Sequence, residues 1–222
     1  FKQKTAYEIP KRDWSSDVCS SDLPEETRAA ALWTLARISG PEARSAARSA
    51  LNDRSPRVLR TALNVTSLWR DVEAAAAVTP LLSFPDAAIA RLAAEALGRM
   101  RAKEAVPALL ASAARLAVAG AISSNGTPED PVVRATEHAL IHALIEIGAT
   151  SPLLAALGGD QTPSRVRAAL VALDQLAAPG LDAAKVLPFL ASPDPSIQRT
   201  AGWIAARRPD WGAALAGYFE QR

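Results

Sequence analysis

The segment DRSPRVLRTAL, residues 53–63, recurs in altered form as TPSRVRAAL at 162–170 and as DPSIQRTA at 194–201. In each copy a polar residue precedes a proline, an arginine follows four residues after the proline, and an alanine comes two residues later. A polar side chain just before a helix accepts a hydrogen bond from a free backbone amide, and proline at the first helical position removes another. The recurring segment therefore predicts the start of an α-helix that the chain builds several times.

Related helix starts occur along most of the chain, at Pro24, Pro56, Ala87, Pro131, Pro163 and Pro195. The steps between them are 32, 31, 44, 32 and 32 residues. Five of the starts follow a potential capping residue, namely Ser55, Asp86, Asp130, Thr162 or Asp194. Shorter apolar segments with a proline lie between these helices, and no long stretch alternates with a period of two. The pattern predicts an all-α fold, an α/α superhelix of about five and a half helix pairs in which each pair packs against the next.

The quoted segments resemble HEAT repeats, an armadillo-like class, and the resemblance extends over residues 24–222, which we take as one domain. It implies that the second helix of each pair lines a concave surface, where such modules bind other proteins. The 44-residue step predicts a loop insertion near residues 119–130, because that stretch is rich in Gly, Ser, Asn and Pro.

Residues 1–23 resemble the conceptual translation of a sequencing-library adapter. Two halves of the adapter match residues 2–8 and 12–23 in one reading frame, with an index-sized gap between them. We therefore expect this segment to be an artefactual, disordered tail and the natural sequence to begin at Pro24. Cys19 is the single cysteine of the chain, so striking out the tail removes disulfide and thiolate chemistry from consideration.

The bulk composition narrows the classes of function. The net charge is +2 at pH 7, which is too small to indicate nucleic acid or an anionic membrane surface as a partner. No apolar run approaches the roughly 20 residues that span a bilayer. Gly-rich phosphate loops, Ser-His-Asp sets and haem-attachment motifs do not occur in the sequence. We therefore expect no cofactor, no membrane insertion and no enzymatic activity in this chain; its compartment stays open.

An arginine recurs near the same position of the repeats, at Arg28, Arg60, Arg91, Arg167 and Arg199, with Arg134 one place early. This column has two readings. It is either an anion-binding stripe or a ladder in which each arginine bonds an acidic residue of a neighbouring repeat. Asp53, Asp86, Asp160 and Asp194 lie near the turns as potential partners, so we favour the ladder.

The helix predicted at residues 132–148 contains both histidines of the chain, His138 and His142, four residues apart on one face. Glu146 lies one further turn along, so the three side chains form a weak candidate for a divalent metal site. Glu137 stands where other repeats have alanine, unless the early Arg134 shifts the register and makes Thr136 the equivalent. We slightly favour display of Glu137 in the groove over an internal hydrogen bond. The candidates for lining a binding groove are Arg60, Asn64, Arg91, Arg134, Glu137, His138, His142 and Arg167.

Three further stretches, NVTSLWRD at 64–71, EHALIHALIEIG at 137–148 and WIAARRPDW at 203–211, resemble the HEAT region of large bacterial multidomain proteins. Those proteins also carry a dehydrogenase-like propeller and a c-type cytochrome domain. The resemblance implies a spacer between redox domains in a fragment of a larger, extracytoplasmic protein, with any dehydrogenase activity outside these residues.

We therefore expect a non-enzymatic scaffold that binds proteins or protein domains. One alternative is a nucleic-acid-binding HEAT module of the DNA-glycosylase type, which requires the arginine column to be clustered and unpaired. A second is a HEAT-like lyase that acts on bilins, which requires a deep groove with Glu137 or His138 at its floor.

Overall fold

The computed structural model describes residues 23–38, 40–116, 130–159 and 162–220. The predicted tail at 1–23 lies outside the described residues except for Leu23. The predicted insertion at 119–130 lies outside them except for Asp130.

Every regular element in these ranges is helical, which confirms the all-α prediction. The α-helices in chain order are α1 (Glu25–Ile38), α2 (Pro41–Ser49), α3 (Pro56–Leu68), α4 (Ala75–Val78), α5 (Ala87–Met100), α6 (Val106–Leu116), α7 (Pro131–Ile147), α8 (Thr150–Leu157), α9 (Pro163–Gln175), α10 (Ala183–Val186), α11 (Pro195–Ala206) and α12 (Gly212–Glu220). Short 3₁₀ segments extend the even-numbered helices at Ala50–Asn52, Val72–Ala74, Thr79–Ser83, Lys103–Ala105, Leu187–Ala191 and Pro209–Trp211. Among the described helices, none is both long enough and apolar enough to cross a lipid bilayer.

The helices form two layers with a repeating order. The odd-numbered helices pack side by side in sequence, α1 on α3, α3 on α5, and so on to α11. The shorter even-numbered helices and their 3₁₀ extensions pack on the other side of them. Since each helix contacts mainly its neighbours in the chain, this arrangement is the predicted α/α solenoid.

The recurring alanine is a packing position at four of the five places where the sequence predicts it. The prediction is wrong for Ala30, the alanine of the first repeat, because the neighbouring Ala29 takes the buried position in α1 and Ala30 is exposed. Ala62, Ala93, Ala169 and Ala201 are each 0 % exposed. They belong to one continuous apolar core that runs through both layers. A small side chain at this position lets adjacent odd-numbered helices approach closely enough to exclude water from the core.

The predicted caps are correct for the three aspartates and wrong for the two hydroxyl residues. Asp86 accepts a hydrogen bond from the amide of Ala88 at 2.8 Å, and Asp130 accepts one from Val132 at 2.7 Å. Asp194 accepts hydrogen bonds from two amides at the start of α11. The side chains of Ser55 and Thr162 do not cap their helices. Ser55 instead donates its hydroxyl to a glutamate of α1, so it ties two odd-numbered helices together.

Candidate binding groove

The structure fixes the register of α7, which the sequence left open. Along α5 the side chains of Arg91, Glu95 and Arg99 reach the surface at four-residue intervals, whereas Ala93 and Ala94 are buried. Along α7 the matching surface positions are Arg134, His138 and His142, and the matching buried pair is Thr136 and Glu137. The early arginine therefore belongs to the column, Thr136 corresponds to Ala93, and Glu137 corresponds to Ala94.

A cavity of about 420 Å³ lies between α5 and α7. Its polar lining consists of the α5 residues Arg91, Glu95 and Arg99 and the α7 residues His138, His142 and Glu146, with Ala135 and Ala139 at its base. The volume is within the range of ligand-binding pockets. Predicted candidates Arg91, His138 and His142 are therefore brought together in one site.

Gly98 sets the distance between the two helices at one end of this cavity. A Cβ atom on Gly98 would lie 2.8 Å from the Cα of Ala143 and 2.6 Å from a carboxylate oxygen of Glu146. Real Cβ atoms do not approach a backbone carbon this closely, so only glycine permits the observed contact. Helix α7 is also the longest described helix, with 17 residues, and its last turn supplies Glu146 to the cavity wall.

A second cavity of about 200 Å³ continues the first along the same face, across α1, α3 and α5. Half of its lining residues are apolar, namely Trp33, Leu63, Leu68 and Leu92, and the other half are Asn64, Ser67, Glu95 and Arg99. Trp33 is 49 % exposed and Leu68 is 59 % exposed, so both present apolar surface along the groove. Because Glu95 and Arg99 line both cavities, we treat the two as one groove, hereafter the α1–α7 groove.

The charged groups of the groove are only loosely paired. Arg91 Nε lies 3.6 Å from a carboxylate oxygen of Glu95, and His142 Nδ1 lies 3.6 Å from one of Glu146. Both distances exceed that of a hydrogen bond. Within the described part of the chain, Arg99 makes no ion pair and no side-chain hydrogen bond. The His138 and His142 rings stack with their centroids 6.4 Å apart.

Two arginines of the column form the ladder that we favoured from the sequence. Of the other predicted partners, Asp194 caps α11 and Asp160 lies outside the described residues. Arg28 binds Asp53 through two hydrogen bonds of 2.8 Å, and Arg60 binds Asp86. The guanidinium of Arg28 lowers the pKa of Asp53 below its ordinary value of 3.8, and hydrogen bonding by Arg60 lowers the pKa of Asp86 in the same way. The predicted nucleic-acid stripe requires unpaired arginines, and these two are engaged within the protein.

Glu137 is not displayed in the groove, so the preference that we stated for it is wrong. Its side chain is 7 % exposed and forms an ion pair with Arg167 of α9. A buried carboxylate needs such a partner, because removing a charge from water costs several kcal/mol. Arg167 is correspondingly engaged at the α7–α9 interface, and neither residue lines the α1–α7 groove.

The structure does not form the candidate metal site. Within the described ranges, no group of three or more His, Cys, Asp or Glu side chains is arranged to hold a metal ion. The His138 and His142 rings are instead stacked along the helix face.

Sequence reasoning missed several groove residues. Glu95 and Arg99 stand four and eight residues after Arg91, so extending the arginine column along the helix would have found both. Trp33 and Gly98 had no such signal. Their roles depend on which helix packs against them, and that is a property of the tertiary structure.

Comparisons with known proteins agree with this architecture. A family model described as HEAT repeats matches residues 16–83. No curated protein sequence matches the chain. Among solved structures, the chain is similar to the complex of CpcE and CpcF of phycocyanin lyase from Nostoc sp. PCC7120, with a TM-score of 0.53, 24% identity, and coverage of 90% of this chain and 79% of that chain.

Two repeat structures of lower similarity also match. An engineered protein has a TM-score of 0.42 and 22% identity, and covers 86% of this chain and 93% of its own. A designed armadillo repeat protein has a TM-score of 0.41 and 18% identity, with coverage of 86% and 97%.

The likeness to the lyase complex corrects the expectation that the chain is not an enzyme. That expectation rested on the absence of catalytic motifs from a helical repeat. A lyase complex shares this fold over most of the chain. The absence of such motifs from a solenoid is therefore no ground for excluding enzymatic activity.

Proposed function

We propose that this chain, whose residues 16–83 match a family model of HEAT repeats, binds a polypeptide partner in the α1–α7 groove. The observation that carries the proposal is the continuity of the two cavities along one face of the odd-numbered helices, joined through Glu95 and Arg99. A groove that crosses several helices suits an extended segment of another protein.

The exposure of the groove residues supports the proposal. Trp33 and Leu68 leave about half of their surfaces in water, although burial of a large apolar side chain contributes roughly 1.5–3 kcal/mol. Aromatic side chains in such positions are frequent anchors of protein interfaces. A partner that covers them gains this free energy on binding.

The test is a selection of displayed random peptides on the purified chain, followed by affinity measurements on two matched variants. Leu68→Gln removes an exposed aliphatic side chain from the groove, and Val72→Gln removes one, 65 % exposed, outside it. We expect selected peptides to bind Leu68→Gln about tenfold more weakly, equivalent to ~1.4 kcal/mol, and to bind Val72→Gln as they bind the unchanged chain. Equal affinity of the peptides for the two variants, or a selection that yields no binders, would contradict the proposal.

A lyase that acts on a bilin is a second candidate. The fold likeness to a phycocyanin lyase complex favours it, and so does a cavity whose lining includes His138. The guanidiniums of Arg91 and Arg99 are suited to bind the propionates of a linear tetrapyrrole. Glu137, the other predicted residue, is buried against Arg167 and is not available.

Titration of the chain with a free bilin, followed by absorbance and fluorescence, tests this candidate. Immobilisation of the chromophore in the cavity is expected to raise its fluorescence, and His138→Ala is expected to reduce the effect. An unchanged spectrum at micromolar protein excludes the candidate. The peptide selection is independent of this result.

A further inference from the structure

We propose that the partner segment of the α1–α7 groove carries an acidic side chain close to a bulky apolar one. The inference rests on the proposed function and names the chemistry of the partner. It follows from the distribution of charge and apolar surface along the groove.

One guanidinium of the α5–α7 cavity has no ion-pair partner among the described residues. The lining contains the guanidiniums of Arg91 and Arg99 and the carboxylates of Glu95 and Glu146. Glu95 lies 3.6 Å from Arg91, and Glu146 lies 3.6 Å from His142. In the part of the chain that the structure describes, Arg99 has no such neighbour, and Arg134 on α7 has none either. Arg99 is therefore the charged group of the lining that is suited to bind a carboxylate of the partner.

Arg91 has further capacity for hydrogen bonding. Its charged neighbour among the described residues is Glu95, whose carboxylate oxygen lies 3.6 Å from Nε, beyond hydrogen-bond distance. A carboxylate matches the planar guanidinium and accepts two hydrogen bonds from it. Arg91 and Arg99, two turns apart on one helix face, therefore define where an acidic group binds.

The apolar part of the groove lies directly beside this position. Arg99 belongs to the linings of both cavities, and Trp33, Leu68 and Leu92 surround the second one. A segment whose carboxylate contacts Arg99 consequently brings its next side chains over these apolar residues. The size of this cavity suits one large aliphatic or aromatic side chain.

The acidic group is a side chain within the segment and not a chain terminus. The groove continues from the α5–α7 cavity across α3 to Trp33 on α1, so the partner extends beyond the arginines. A small free anion would fill the polar cavity alone and leave Trp33 and Leu68 exposed.

The test repeats the peptide selection on three forms of the chain: unchanged, Arg99→Glu and Lys103→Glu. Lys103 is exposed on the 3₁₀ segment Lys103–Ala105, outside the groove, so the two variants carry the same change of charge. We expect peptides from the unchanged chain to be enriched in Asp or Glu near an aromatic residue or leucine. Their affinity should fall at least tenfold on Arg99→Glu and stay unchanged on Lys103→Glu. Selection on Arg99→Glu should instead enrich lysine or arginine at the same position.

Several outcomes would overturn the inference. Groove-dependent peptides without an acidic residue would refute it while leaving the proposed function intact. Peptides that lose binding when their carboxy terminus is amidated would assign the carboxylate to a chain end. Acetate or a dicarboxylate that displaces the peptides at equal affinity would identify a small-anion site. Absence of groove-dependent binders refutes the proposed function itself. Since Arg99 is exposed, circular dichroism and thermal unfolding are expected to show Arg99→Glu folded as the unchanged chain.

Discussion

The α5–α7 and α7–α9 interfaces use the same repeated arginine in opposite ways. At the α7–α9 interface Arg167 is 21 % exposed and is paired with the buried Glu137. At the α5–α7 interface Arg91 is 44 % exposed and stands loosely beside Glu95 of its own helix. The arginine fills part of the α7–α9 interface, whereas a cavity remains at the α5–α7 interface.

The difference comes from the residue that the preceding helix offers. In the register of the repeats, Glu137 of α7 corresponds to Ala94 of α5 and to Leu63 of α3, and all three positions are buried. Only the glutamate can hold the arginine of the next helix. Arg91 and Arg134 follow an apolar residue at this position, so their guanidiniums remain at the surface. A single residue in the preceding helix thus decides whether the repeated arginine takes part in packing or stays at the surface, where it can bind a partner.

The largest expected effect is the difference in stability between variants that lack Glu137 and variants that lack Glu95. Glu137→Ala leaves the largely buried Arg167 without a counter-charge and is expected to lower the free energy of unfolding by about 3 kcal/mol. Glu95→Ala removes one partner of an exposed pair, and its expected cost is under about 0.5 kcal/mol. Urea denaturation of both variants measures the difference. Joint replacement of Glu137 and Arg167 by methionine is expected to restore most of the loss, and equal costs for the two alanine variants would contradict the comparison.

Glycine-to-alanine substitutions test how much the close approach of α5 and α7 contributes to stability. Gly98→Ala places a Cβ atom 2.8 Å from the Cα of Ala143, so the α5–α7 interface must shift, at an expected net cost of about 1–2 kcal/mol. Gly202 in α11 is the matched control, because its Cβ would meet only Leu190 Cδ2 at 3.9 Å. Gly202→Ala is expected to stabilise the protein by about 0.5–1 kcal/mol through helix propensity. Thermal unfolding gives the sign of each change, and the same sign for both would show that the close approach is unimportant.

The smallest expected effect on stability is the pH dependence of the ion pair between Arg28 and Asp53. The pKa of Asp53 is lowered chiefly by hydrogen bonds from Arg28, so the folded state binds a proton less readily than the unfolded state. The stabilisation is therefore fully present above the ordinary pKa of 3.8 and is lost as the pH falls through the lower folded-state value. Asp53→Asn is expected to cost about 1 kcal/mol near neutral pH. As the pH falls below the folded-state pKa of Asp53, the variant and the unchanged chain should approach equal stability. A difference independent of pH would assign the effect to shape and not to charge.

The repeating pattern of the sequence was sufficient to predict the architecture. Proline and aspartate at the helix starts, the recurring alanine and the near-constant step act locally or between neighbouring repeats, and they are confirmed for the helices, the core and three of five caps. Of the predicted groove residues, Arg91, His138 and His142 line one cavity, and their role in binding stays a prediction. The predictions for the tail at 1–23, the insertion and a redox parent protein remain untested.

The sequence by itself determined the solenoid, because each repeat carries its own start signals and its own apolar face. The tertiary structure decided which polar residues reach the groove. That choice depends on a one-residue register in α7, on the close contact of Gly98 with Ala143, and on whether the preceding helix supplies an acid to the repeated arginine. These are relations between helices more than 30 residues apart, and no single repeat contains them.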